Sequence, residues 1–171
     1  TTLGRLFGRS VLAADVRECV GAGWWMDACG HELLVGNPDI SGAMTSGEVH
    51  LYEGVITGVQ WLGVLTPPAG TPVGAQFGYA MAAPRTPEVP DHSWEEAPDT
   101  PPWVAVGAPE IDAVFIYEVN PGSAWPLALV QTLTYSSIGR KSGRSLAAGD
   151  FNNDGLMDLA VGAPKPFGTA L

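Results

Sequence analysis

One stretch of this chain carries most of its chemistry: Asp150-Phe151-Asn152-Asn153-Asp154-Gly155-Leu156-Met157-Asp158. Oxygen-bearing side chains stand at its first, third, fifth and ninth positions, and glycine stands sixth, where the chain must turn sharply. Short Asp and Asn side chains alternating in this way fold around a hard cation that takes six to eight oxygen ligands. Three carboxylates within nine residues repel one another unless a cation neutralises them. The expected ligands are the side chains of Asp150, Asn152, Asp154 and Asp158, with the backbone carbonyl of Leu156. No His or Cys lies in the stretch, so the expected ion is Ca2+ rather than Zn2+. A helix–loop–helix calcium site shares the early spacing but needs a Glu at the twelfth position. Here that position is Val161, in the strand-like Leu159-Ala160-Val161, so the loop is expected to join two strands. The competing reading is an Asp/Asn/Gly turn that closes on its own hydrogen bonds without an ion.

The elements that position this loop are repeated. Phe7-Gly8-Arg9-Ser10, Phe77-Gly78-Tyr79-Ala80 and Ser142-Gly143-Arg144-Ser145 align on their glycines, about 70 and then 65 residues apart. Each is followed by a second motif: Val35-Gly36-Asn37-Pro38, Val106-Gly107-Ala108-Pro109 and Val161-Gly162-Ala163-Pro164. Self-similarity at such a period marks a repeat architecture. A strand-like segment follows twice, at Gly47–Tyr52 and Asp112–Tyr117, and a fourth apolar segment follows each, at 59–65 and 127–133. Four short strands per repeat joined by Gly/Pro turns make the unit of a β-propeller blade. The fold class expected is therefore all-β, with four-stranded antiparallel blades. Tyr52, Tyr117 and Trp61 are expected to fill the wide outer part of a blade.

These motifs resemble the FG-GAP repeat, the blade of integrin α-subunit propellers, which also occurs in glycosylphosphatidylinositol-specific phospholipase D. The resemblance rests on Phe7-Gly8, Phe77-Gly78 and the Gly-Ala-Pro of 107–109 and 162–164, with Gly36-Asn37-Pro38 a near match. Ser142 departs from it, standing where Phe is expected and weakening the packing there. The resemblance implies approximate repeats 1–70, 71–135 and 136–171, the last incomplete, within a partial propeller of 1–171. About three blades do not close a ring, so further blades or another chain are expected to complete it. It also implies a non-catalytic calcium-binding segment for extracellular adhesion or recognition of a protein or glycan ligand. The alternative it leaves is the propeller portion of a secreted hydrolase, with catalysis elsewhere.

The other repeats keep less of the ligand pattern. Asp15 and Glu32 stand at the outer ligand positions of the first, separated by an insertion that holds Cys19, Trp24, Trp25, Asp27 and Cys29. A second ion there is one reading; a loop pinned without metal is the favoured one. Arg85 and Trp103 replace the outer acids in the second repeat, which argues against an ion. Cys19 and Cys29 admit two readings, reduced thiols or a local disulfide. The disulfide is the expectation, because the pair brackets one insertion and the chain has no other cysteine; it would stabilise by roughly 2–3 kcal/mol and imply an oxidising compartment. An acidic, proline-rich insertion runs from Pro84 to Pro102, with Trp94 as its one large aromatic.

Composition bounds the remaining classes. The 171 residues carry Lys+Arg 8 against Asp+Glu 18, a net charge of −10. Such a surface repels nucleic-acid phosphates and anionic lipid. Apolar residues make up 46%, enough for a core, but no run is long enough to span a membrane. Gly 22 and Pro 15 oppose long helices. The sequence opens on Thr1 rather than Met, which suggests a mature product or a fragment. It has no nucleophile elbow, phosphate-binding glycine loop or dinucleotide fingerprint.

Overall fold

A computed structural model describes residues 7–14, 32–38, 45–55, 58–84, 103–119, 127–135 and 140–164. Among them the chain forms ten β-strands and one 3-10 turn, Pro109–Ile111. The first sheet holds β1 (Val11–Ala14), β2 (Glu32–Asn37), β3 (Glu48–Val55) and β4 (Gly58–Leu65) in sequential order. The second repeats that order with β5 (Met81–Ala82), β6 (Trp103–Ala108), β7 (Ala113–Val119) and β8 (Leu127–Thr134). The third pairs β9 (Ser145–Gly149) with β10 (Asp158–Gly162). All named pairings are antiparallel. The expectation of nearly all-β, four-stranded antiparallel blades holds.

Registers show how closely the units repeat. Val11 pairs with Val35, Met81 with Val106 and Leu146 with Val161. Gly36 faces Val49 and Gly107 faces Val114. A bulge interrupts the third and fourth strands at one place in both complete sheets, between Leu51 and Tyr52 and between Ile116 and Tyr117. An extra residue there increases the local twist, which suits a blade.

The core lies between the first two sheets. Leu34, Val49, Leu51 and Leu65 of the first pack in one cluster with Phe77, Val104, Val106, Phe115, Tyr117 and Leu127 of the second repeat. Val49 and Leu51, alternate residues of β3, are both fully buried, as the strand period requires. Outer strands are wetter: Val59, Trp61, Leu129 and Val130 are exposed. Trp61, expected to fill the outer blade, is instead 58% exposed, because β4 is an edge strand and the exposed part of its length has no neighbouring sheet over it. Tyr117 does fill that region and is buried, whereas its counterpart Tyr52 is half-buried.

Each Phe of the Phe-Gly motif packs against its own third strand. The Phe77 ring lies 5.6 Å from Phe115 and 6.2 Å from Tyr117. Phe7 repeats this with His50 at 5.0 Å, and His50 in turn stacks on Tyr52 at 6.5 Å. His50 also contacts Glu48 at 2.9 Å, and Glu48 accepts a hydrogen bond from the Asn37 amide at 3.0 Å. In the third sheet Ser142 takes the Phe position and is 2% exposed. Its N–H is caught by the Asp112 carboxylate at 2.9 Å, where Phe77 N–H donates to the Ser46 carbonyl at 2.8 Å.

Candidate metal loop and the blade junctions

The glycines expected from the repeat meet in pairs. Within each sheet the first-motif N–H donates to the second-motif carbonyl: Gly8 to Gly36 at 3.0 Å, Gly78 to Gly107 at 3.1 Å and Gly143 to Gly162 at 3.1 Å. All three donors have positive φ, 82°, 86° and 85°, a conformation that costs glycine little. Between sheets, the second-motif glycine lies against the next first-motif glycine. A side chain on Gly36 would strike the Gly78 carbonyl, and one on Gly107 would strike the Gly143 carbonyl. The Ser10 hydroxyl adds a 2.7 Å hydrogen bond to the Gly78 carbonyl across the first junction.

The Asp/Asn stretch is the connection from β9 to β10. Asp158 opens β10 opposite Gly149, the last residue of β9, so Asp150 and Asp158 stand at the two ends of the turn. The turn winds inward on its own side chains. Asp150 accepts the N–H groups of Asp154 and Gly155 at 3.1 and 2.9 Å, one on each carboxylate oxygen. Asn152 accepts from Asp154 N–H at 2.8 Å, Asp154 from Leu156 N–H at 2.8 Å, and Asp158 from Phe151 N–H at 3.1 Å. Positive φ at Asn153 (61°) and Gly155 (86°) makes the bend. The bonds to Asn152 and Asp154 are those of Asx turns, whereas those to Asp150 and Asp158 span four to seven residues.

Among the described residues, no three or more His, Cys, Asp or Glu side chains are gathered as a metal site would require. The Asp150, Asn152, Asp154 and Asp158 side chains and the Leu156 backbone nonetheless share one turn, with hard oxygen donors only. Each carboxylate oxygen has two lone pairs, so one N–H bond does not exhaust it. In ligand type, all hard oxygens with no nitrogen or sulfur, the set suits a hard cation. Phe151, Leu156 and Met157 leave the loop exposed to solvent.

In the first sheet Glu32 occupies the place of Asp158, opposite Ala14, and is 2% exposed. Asp15, Cys19, Cys29, Trp24, Trp25, Arg85 and Trp94 lie outside the described residues, so the disulfide and second-ion readings do too.

One constellation was not singled out from the sequence. The residues after the first-motif glycines, Arg9, Tyr79 and Arg144, form a row across the three sheets. Arg9 donates to the Tyr79 hydroxyl at 2.6 Å, and its guanidinium carbon lies 4.6 Å from the ring centroid. The Arg144 guanidinium lies 5.5 Å from the same centroid. Partial burial pushes the Tyr79 phenol up, but the hydrogen bond and charge of Arg9, then those of Arg144, outweigh it and hold the phenol below its ordinary value. The available signal was the shared offset from the glycine, one position on in all three copies.

Up-and-down four-stranded sheets stacked through paired glycines define this as a blade-repeat protein of the β-propeller class. Residues 142–169 match the family model of the FG-GAP repeat. The matched segment includes β9, the Asp/Asn loop and β10. No helix among the described residues is long and apolar enough to cross a membrane.

Proposed function

We propose that the chain is part of a calcium-stabilised propeller that serves protein recognition outside the cytoplasm, with no catalysis of its own. The observation that carries this reading is the β9–β10 turn: an all-oxygen donor set wound on a blade that matches the FG-GAP repeat. Calcium would be held by Asp150, Asn152, Asp154, Asp158 and the Leu156 carbonyl. It would supply positive charge that cancels carboxylate repulsion and ties the first two strands of the blade together.

The open end faces support completion by further blades, from the same protein or another chain. Phe7, His50 and Tyr52 repeat the arrangement of Phe77, Phe115 and Tyr117, yet they are half-buried where the latter are covered by the first sheet. The repeat limits 1–70, 71–135 and 136–171 belong to this proposal. FG-GAP repeats are typically non-catalytic elements of extracellular proteins, which supports this reading.

The test is thermal unfolding of the chain in calcium and in chelator. A midpoint that rises with calcium, and not with magnesium at equal concentration, is the expected result. Calcium-independent melting would remove the ion from this reading.

A further inference from the structure

Three of the eight Lys and Arg residues of this acidic chain, Arg9, Lys141 and Arg144, come together at one place. Two of them approach a single ring. Exposed cationic side chains gain by separating, because like charges repel and long flexible stems are free to do so. Here the blade repeat holds them in a row, since Arg9, Tyr79 and Arg144 occupy one position of successive blades. Neither guanidinium is paired with a carboxylate among the described residues.

Beside this row lies a cleft of about 300 Å3. The same turn of two successive repeats builds it. Gln76 and Tyr79 come from one copy, Lys141 and Arg144 from the next, and Pro109 and Glu110 close the side. Gln76 and Lys141 share a positive φ, 62° and 63°. Each carbonyl accepts the N–H three residues on, at 3.1 and 3.2 Å. Glu110 is the one carboxylate lining the cleft, and Lys141 pairs with it. Arg144 is the other cation lining the cleft, and its guanidinium lies against the Tyr79 ring.

We propose that this inter-blade cleft binds the carboxylate of an acidic side chain on a protein partner. The Arg144 guanidinium on the cleft wall matches a carboxylate in geometry as well as charge, and Arg9, beside the cleft, acts on it through its hydrogen bond to the Tyr79 hydroxyl. The Tyr79 hydroxyl accepts from Arg9 and keeps its own proton to donate to the incoming oxygen. Its lowered pKa is consistent with the positive field there. The proposal rests on the recognition reading above but not on the metal. Arg144 precedes β9 and Asp150 follows it, so about six residues of extended chain, roughly 20 Å, separate cleft from loop.

The experiment titrates the full 171-residue chain with a blocked peptide of alternating Asp and Glu, and with its Asn/Gln counterpart, in calcium and in chelator. The acidic peptide should bind and the neutral one should not, with affinity falling as salt rises. Arg9→Gln and Arg144→Gln, both at exposed positions, should each weaken binding about ten-fold. Glu110→Gln should tighten it about three-fold by releasing Lys141, an opposite effect that a general loss of structure cannot mimic. Peptide affinity indifferent to both arginine changes would overturn the site. Succinate binding as tightly as the peptide would overturn the protein partner in favour of a free small carboxylate. Peptide binding retained in a chain whose melting ignores calcium would leave this site standing while the metal reading fails.

Discussion

Gly107 and Gly143 touch backbone to backbone: a Cβ on Gly143 would stand 3.3 Å from the Gly107 Cα, and one on Gly107 would overlap the Gly143 carbonyl. The Gly36–Gly78 pair repeats this contact one blade earlier, at 3.4 Å. Paired glycines therefore set how closely adjacent blades approach. Gly107→Ala should destabilise by about 3 kcal/mol, because backbone rather than a movable side chain must give way. Gly8→Ala has open space around it and should cost only about 1 kcal/mol for its positive φ. Urea unfolding of the two variants compares them; equal losses would mean that the glycine pair is not a packing constraint.

Phe77 is fully buried between the first two sheets. Phe77→Ala should cost about 3–5 kcal/mol, as expected for a large aromatic removed from a core. Phe7→Ala removes the equivalent ring from a half-open face and should cost about 1–2 kcal/mol. Chemical denaturation again provides the measure. A larger loss at Phe7 would show that the first sheet is covered by something outside the described residues.

Much of this was legible in the sequence, for definite reasons. The glycine motifs, the four-strand unit and the positions of β3, β4, β7 and β8 follow from turn chemistry and from the two-residue period of strands, both local signals. The Asp/Asn turn between two strands was legible too, since the residues that close it lie within nine positions. Exposure of Trp61 was not, because strand periodicity does not say which stretch of an outer strand has a neighbour. The Arg9–Tyr79–Arg144 row was missed for a related reason. Its members are separated by 70 and 65 residues and meet only through blade stacking. Ser142 was expected to weaken its junction; the backbone capture by Asp112 could not be read from either residue alone.

Two tyrosines should titrate in opposite senses. Burial pushes the Tyr117 phenol up, and its hydroxyl has no hydrogen-bond partner among the described residues. Its folded pKa is above the unfolded value of about 10, so its contribution to stability is present below that value and lost as pH climbs through the folded pKa. Tyr79 is shifted down, so its contribution is gained as pH rises towards the unfolded value and is absent at neutral pH. Alkaline titration of phenolate absorbance should show Tyr79 ionising early and Tyr117 only with unfolding, assigned by Tyr79→Phe and Tyr117→Phe. Tyr117→Phe should leave stability unchanged or raise it by up to about 1 kcal/mol, since it removes an unsatisfied buried group. A clear loss would mean that the hydroxyl has a partner.

Asp154 gives the sharpest test of the metal loop. Without an ion its carboxylate holds Leu156 N–H and the Asn152 amide, both exposed to solvent, so Asp154→Ala should cost no more than about 0.5 kcal/mol in chelator. With calcium the same carboxylate would be a ligand. An ion that binds only the folded state stabilises by about 2.7 kcal/mol at a hundred-fold excess over its dissociation constant. Asp154→Ala should erase most of that gain. Asn152→Ala, which removes a neutral donor, should erase less, because carboxylates supply most of the attraction to a divalent cation. Thermal melts of the three proteins across a calcium series separate the cases. Equal destabilisation by Asp154→Ala with and without calcium would identify the loop as an ordinary Asx turn, closed by its own hydrogen bonds and indifferent to the ion.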